Sequence, residues 1–153
     1  MAGEAPLLQA DITINAPVAK VWALISDLDN MPKWSPQCRA MRSIGAVKVG
    51  TKTVNLNRRG LMFWPTTSTI TVLDAQKKLS FLVNSNGTEW TYELEPAGTG
   101  TKVTASRHAE NGVKPISSTL INRFMGGVPN FEVELVDGMK TSLSRIKAAA
   151  EGV

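Results

Sequence analysis

From Gln37 to about Ala109 the chain reads as short alternating segments cut by turn residues, and that pattern restricts it to a largely antiparallel sheet. Turn signals stand at Gly45 to Gly50, at Gly60, around Asp74 to Lys77, at Asn86-Gly87 and at Ala97 to Gly100. Asn-Gly is the strongest, because a two-residue type I′ hairpin needs positive φ at both central positions. The intervening segments predict strands over Arg39 to Ile44, Thr51 to Arg59, Trp64 to Leu73, Leu79 to Asn84, Thr88 to Glu95 and Thr101 to His108. Residues 7 to 15 alternate enough to add a seventh.

Period two sorts the side chains by face. Trp90, Tyr92 and Leu94 fall on one side of their strand and Glu89, Thr91, Glu93 and Glu95 on the other, so one face is covered and the other wet. The same parity turns Leu79, Phe81 and Val83 inward, together with Ile70 and Val72, and with Val54 and Leu56. Arg107 continues the inward row of Val103 and Ala105, and Arg58 continues that of Val54 and Leu56. A charge on a covered face is costly unless paired or wetted. Two inward arginines therefore predict a polar or ligand-filled cavity, or a bulge that reverses the parity.

Helices flank this sheet. Asn15-Ala16-Pro17 opens one whose Val18, Val21, Trp22 and Ile25 share a face; a break at Asp27 to Pro32 leads to a second short one ending near Trp34. At the other end, Pro115 to Phe124 predicts a helical segment stopped by Gly126-Gly127. A last helix runs from Pro129 to about Glu151 with Phe131, Leu135, Met139, Leu143 and Ile146 down one side. That stripe has to be covered, and the sheet is what can wrap it.

The 153 residues suit one α+β domain spanning 1–153, large enough to hold a core without metal or disulfide staples. Cys38 stands alone, consistent with a reducing compartment; with no basic n-region at the start, a cytoplasmic location is expected. The net charge of +4 is unevenly spread: between Asp29 and Asp74 there is no acidic residue, while Lys33, Arg39, Arg42, Lys48, Lys52, Arg58 and Arg59 fall there. Such a stretch either solvates outer strand faces or makes a weak contact with an anionic membrane. It interleaves only Phe63 and Trp64 and offers no stacking stripe, so no nucleic-acid partner is expected. One His and one Cys far apart make no zinc constellation, and neither metal nor cofactor is expected. The segment from Gly45 to Thr53 imitates a phosphate-binding loop, but an alternating strand follows where a helix should.

The order strand, two short helices, six antiparallel strands and long C-terminal helix is similar to the helix-grip fold of the START-like (Bet v 1-like) superfamily. Residues Ile12 to Pro36, ITINAPVAKVWALISDLDNMPKWSP, resemble the opening of its bacterial polyketide cyclase/dehydrase-like group. Asn57-Arg58-Arg59-Gly60, Trp64 followed by Thr67-Ser68, Trp90-Thr91-Tyr92 and Gly100-Thr101-Lys102-Val103-Thr104 extend the resemblance over nearly the whole chain.

The resemblance implies a curved seven-stranded sheet gripping the last helix around an apolar cavity. Leu56, Trp64, Phe81, Val83, Trp90 and Tyr92 would line it from the sheet, and Phe131, Leu135 and Met139 from the helix. Arg107 and Arg58 would be polar anchors for an acidic head, the alternative for Arg107 being a structural salt bridge to Glu110 or Glu134. The entrance would lie near Gly60 to Phe63 and Gly126-Gly127. These features lead to a monomer or homodimer that binds a small hydrophobic, aromatic or lipid-like molecule. Two alternatives stay open: an aromatase/cyclase-like enzyme in which Arg107 stabilises an enolate and Tyr92 gives a proton, and a lipid carrier docking on anionic membranes.

Overall fold

Alternation and turn chemistry produce seven strands, and each hydrogen-bonds antiparallel to its neighbours in the order β1-β7-β6-β5-β4-β3-β2. A computed structural model describes residues 5–84, 87–109 and 128–152. The strands are β1 (Ala5–Ile14), β2 (Cys38–Ser43), β3 (Lys52–Arg59), β4 (Met62–Asp74), β5 (Lys78–Val83), β6 (Thr88–Ala97) and β7 (Gly100–Ala109). Between β1 and β2 come α1 (Val18–Ser26), a 3-10 turn at Leu28–Asn30 and α2 (Met31–Trp34); the C-terminal helix, α3, is Val128–Glu151. This is the helix-grip architecture expected. The helical segment over Pro115 to Phe124, the Gly126-Gly127 break and the Phe131 side chain lie outside the described residues.

Helix α3 rests over β1 and β7 and against α1 and α2. Its Leu143 and Ile146 are buried with Ile14 and Val103 of the sheet and with Val21 and Ile25 of α1. Its far end is tied down: the Asn15 backbone N–H donates to the Glu151 carboxylate at 2.7 Å, and Lys147 pairs with that same carboxylate. Arg145 donates to the Trp34 carbonyl at 3.3 Å and so fastens α3 to α2.

Parity holds across β5, β6 and β7. Leu79 lies opposite Tyr92 and Phe81 opposite Trp90, while Tyr92 and Trp90 face Ala105 and Arg107. Ile70 is buried opposite Phe81, but a register shift after it sets Val72 against Ser80 and breaks the shared row.

Strand β3 is reversed. Val54 and Leu56 are 48% and 38% exposed while Thr53 is fully buried, so Thr53, Asn55, Asn57 and Arg59 form the inner row and Val54, Leu56 and Arg58 the outer one. The reason is pairing with β4, whose Ser68 and Ile70 are buried inward residues: Thr53 opposes Ser68 and Asn55 opposes Thr66. A one-residue slip would send all of them outward. Leu56 and Arg58 are therefore not cavity residues; Arg58 reaches along the outside to donate to the Gly60 carbonyl at 2.7 Å.

Among the described residues, the junction of β1 with β7 is the tightest glycine site. A Cβ on Gly100 would stand 2.4 Å from the Ile14 carbonyl oxygen, with backbone on both sides. Gly100→Ala is expected to destabilise the fold by about 1–3 kcal/mol in urea unfolding. An unchanged midpoint would mean that the two strands are free to part there.

Candidate functional site

The N-terminal half of α3 stands away from the middle strands, and a cavity of about 390 Å³ occupies the gap. Its floor is the inner face of β3 to β7, its roof is Leu135, Gly138, Met139 and Ser142 of α3, and α2 with the start of β2 closes one flank through Met31, Ser35, Gln37 and Cys38. Ordinary ligand pockets run from about 300 to 1,000 Å³, so this one suits a small molecule.

The lining combines two chemically different sets of side chains. One is aromatic and sulfur-rich: Trp64, Phe81, Trp90 and Tyr92, with Cys38, Met41 and Met139. The other is the amide and hydroxyl ladder of β3 and β4. Asn57 donates to Thr66 Oγ1 at 3.0 Å and to the Trp64 carbonyl at 3.3 Å; Asn55 donates to Thr66 Oγ1 at 3.2 Å; Thr53 Oγ1 donates to Asn55 Oδ1 at 2.9 Å and also meets the Ser68 hydroxyl. Because these groups satisfy one another, turning them inward leaves little desolvation cost.

Arg107 lies on the β7 wall, only 3% exposed, beside Trp90 in register. Its guanidinium brings a planar, five-donor cationic group to the cavity. Tyr92 lies deeper. Beside it on α3, Ser142 Oγ donates to the Gly138 carbonyl at 2.9 Å and is the hydrogen-bond partner of the Tyr92 oxygen. Burial pushes the Tyr92 hydroxyl up to about 12, the neighbouring Cys38 adds to the rise and the Ser142 hydrogen bond opposes it. Burial likewise pushes the Cys38 thiol up to about 11, against a hydrogen bond with the Ala40 backbone. Both groups are therefore neutral near pH 7, and neither is a ready base or nucleophile.

At the mouth, Arg59 reaches from β3 to Glu134 on α3. Arg59 Nε lies 2.8 Å from Oε1 and Nη2 2.5 Å from Oε2, a two-pronged bridge. The guanidinium's hydrogen bonds hold the Glu134 carboxyl below the usual carboxylate range. Glu134, one of the partners considered for Arg107, is thus engaged by Arg59.

The structure brings Trp64, Phe81, Val83, Trp90, Tyr92, Arg107, Leu135 and Met139 to one cavity and leaves Leu56 and Arg58 outside. Sequence reasoning missed Asn55, Asn57, Thr66, Ser142 and the Arg59–Glu134 bridge. The alternation of Asn55 and Asn57 with Val54 and Leu56 was visible, but its sign was taken from apolarity. Among the described residues no three His, Cys, Asp or Glu side chains gather as a metal site, and no helix is long and apolar enough to cross a membrane.

A family model described as polyketide cyclase/dehydrase and lipid transport matches residues 6–151. A comparison with curated protein sequences gave no match. Among solved structures, the di-domain aromatase/cyclase StfQ of the steffimycin biosynthetic pathway superposes with a TM-score of 0.74 at 15% identity; the match covers 95% of this chain and 50% of StfQ, so the chain spans half the di-domain's length. The polyketide-cyclase-like protein Cgl2372 of Corynebacterium glutamicum gives 0.67 at 22% identity, over 99% of this chain and 94% of that one. The Aha1 dimer of Colwellia psychrerythraea gives 0.66 at 19%, over 96% and 97%. At such identities the likeness is one of fold.

Tyr92 is the single tyrosine, so its ionisation can be followed alone. Absorbance near 295 nm is expected to titrate at about 12 and not near the ordinary phenol value of about 10. By linkage, a raised phenol contributes stability that is complete below the unfolded-state value near 10 and is lost as pH climbs through the folded value. A transition near 10 while the fold persists would show Tyr92 to be wetted. The Arg59–Glu134 bridge has side chains 34% and 39% exposed, so a double-mutant cycle with Arg59→Ala and Glu134→Ala should give a coupling of no more than about 1 kcal/mol. A larger value would make it part of the fold's foundation and not a fastening at the mouth.

Proposed function

We propose that this chain, which belongs to the polyketide cyclase/dehydrase and lipid transport family, binds a small, planar, conjugated molecule carrying oxygen substituents. One observation carries this reading: a single cavity lined both by aromatic and sulfur-bearing side chains and by a self-satisfied amide and hydroxyl ladder. Stacking against Trp64, Phe81 and Trp90 suits a flat π-system, and Met and Cys sulfur makes favourable contacts with such rings. Asn55, Asn57 and Thr66 supply donors and acceptors for hydroxyl or carbonyl groups, and Arg107 supplies a cation for an enolate or carboxylate. A saturated acyl chain would leave the ladder without use.

Binding is favoured over catalysis because acid/base groups are scarce. Tyr92 and Cys38 are held neutral, and Glu134 is engaged by Arg59. The family description and the Tyr92–Ser142 hydrogen bond favour a second reading, a cyclase-like enzyme in which Tyr92 delivers a proton and Arg107 steadies the enolate.

Two of the four tryptophans, Trp64 and Trp90, line the cavity, so intrinsic fluorescence is a direct readout. Hydroxylated naphthalenes, anthraquinones and flavonoids are expected to quench it saturably, and fatty acids of similar volume are not. Trp90→Ala should weaken that binding by up to about tenfold, equivalent to about 1.4 kcal/mol. Tight binding of fatty acids alone would overturn the reading. Turnover of a poly-β-ketone mimic that falls in Tyr92→Phe would establish the enzyme instead.

A further inference from the structure

The reversal of β3 has an outside as well as an inside. Val54, Leu56 and Phe63 are 48%, 38% and 54% exposed, and Leu61, in the turn between β3 and β4, is 95% exposed. Register sets them side by side on the outer face, with Arg58 opposite Phe63 and Leu56 opposite Pro65. Apolar side chains gathered in one exposed patch mark a surface that meets something.

Charge identifies what that is. The Arg58 guanidinium lies over the Phe63 ring, 5.3 Å from its centroid, and is held there by the Gly60 carbonyl. Arg39, Arg42 and Lys52 are exposed on β2 and β3. Asp29 approaches Arg42 at 3.6 Å, but both side chains are well exposed and the pair neutralises little. Glu134 is the other nearby acid and is spent on Arg59. No acidic residue occurs between Asp29 and Asp74; Asp74 ends β4 at the opposite end from the tip, Glu89 of β6 accepts from Thr71 near that same far end, and Asp11, Glu93 and Glu95 lie on β1 and β6.

We propose that the outer face and tip of the β3–β4 hairpin form a docking surface for an anionic phospholipid bilayer. Leu61 and Phe63 enter the headgroup boundary, while Arg58 and Arg39 lie at the level of the lipid phosphates and Lys52, at the far end of β3, adds only to the longer-range positive field. The tip favours a bilayer over a second copy of the chain: a leucine almost wholly exposed on a hairpin turn projects from the surface, whereas a protein interface asks for a complementary partner surface. Asn57 and Trp64, both cavity residues, pair at this end of the hairpin, so docking brings the cavity wall close to the headgroups. This inference does not depend on which molecule the cavity takes.

The test is co-sedimentation of the full chain with phosphatidylcholine vesicles, with and without phosphatidylglycerol, at low ionic strength and at about 1 M salt, where the Debye length is about 3 Å. Binding is expected with the anionic vesicles at low salt and is expected to fade at high salt. Arg58→Ala should reduce partitioning about fivefold, and the double variant Leu61→Ala/Phe63→Ala by about tenfold or more. All three residues are exposed, so thermal melting should match wild type and separate loss of docking from loss of fold. Three outcomes would overturn the proposal: equal partitioning on neutral and anionic vesicles or none on either, variants that bind like wild type, or a concentration-dependent dimer that Leu61→Ala abolishes.

Discussion

The structure depends on a mismatch of widths. Seven strands at about 4.8 Å spacing make a sheet some 29 Å across, and one helix is about 10 Å wide. Helix α3 therefore covers only part of the concave face. It lies over β1 and β7, where Ile14, Val103, Leu143 and Ile146 make a dry core with α1, and the space above the middle strands is left as a cavity. The core and the site are two ends of one trough.

That division explains why the inner face changes character along the sheet. Where the helix sits directly on the strands, the inward residues are Ile14, Val103 and Ala105, since only apolar packing compensates there. Where the helix stands off, β3 and β4 turn Thr53, Asn55, Asn57, Thr66 and Ser68 inward, and these satisfy one another across the strands. Water or a ligand can reach the cavity-facing members, so polarity on that wall is tolerated. The converse is an outer face carrying Val54, Leu56 and Phe63, which ordinary patterning would have buried.

The mouth and the depth of the cavity are held by different forces. Arg59 and Glu134 fasten β3 to α3 through a partly exposed charged bridge, which is weak and screened by salt. Deeper along the same helix the contact is between buried side chains, with Tyr92 of β6 beside Ser142 of α3.

Much of this was legible in the chain itself. Turn chemistry and alternation determined seven antiparallel strands and a gripping helix, and the parity of Phe81, Trp90, Tyr92 and Arg107 followed from strands whose two faces differ sharply in polarity. For β3 the two faces, Val54-Leu56-Arg58 and Asn55-Asn57-Arg59, are each half plausible, and local pattern carries no sign. Only the pairing of Thr53 with Ser68 and Asn55 with Thr66, across a strand whose Ile70 must be buried, decided which row looks inward. The same holds for Glu134: which arginine it meets depends on where a strand end and a helix turn come together, and no spacing along the chain encodes that distance. Sequence determined the elements and most of their faces; tertiary structure decided the sign of one strand, and with it the chemistry of the cavity wall and of the surface behind it.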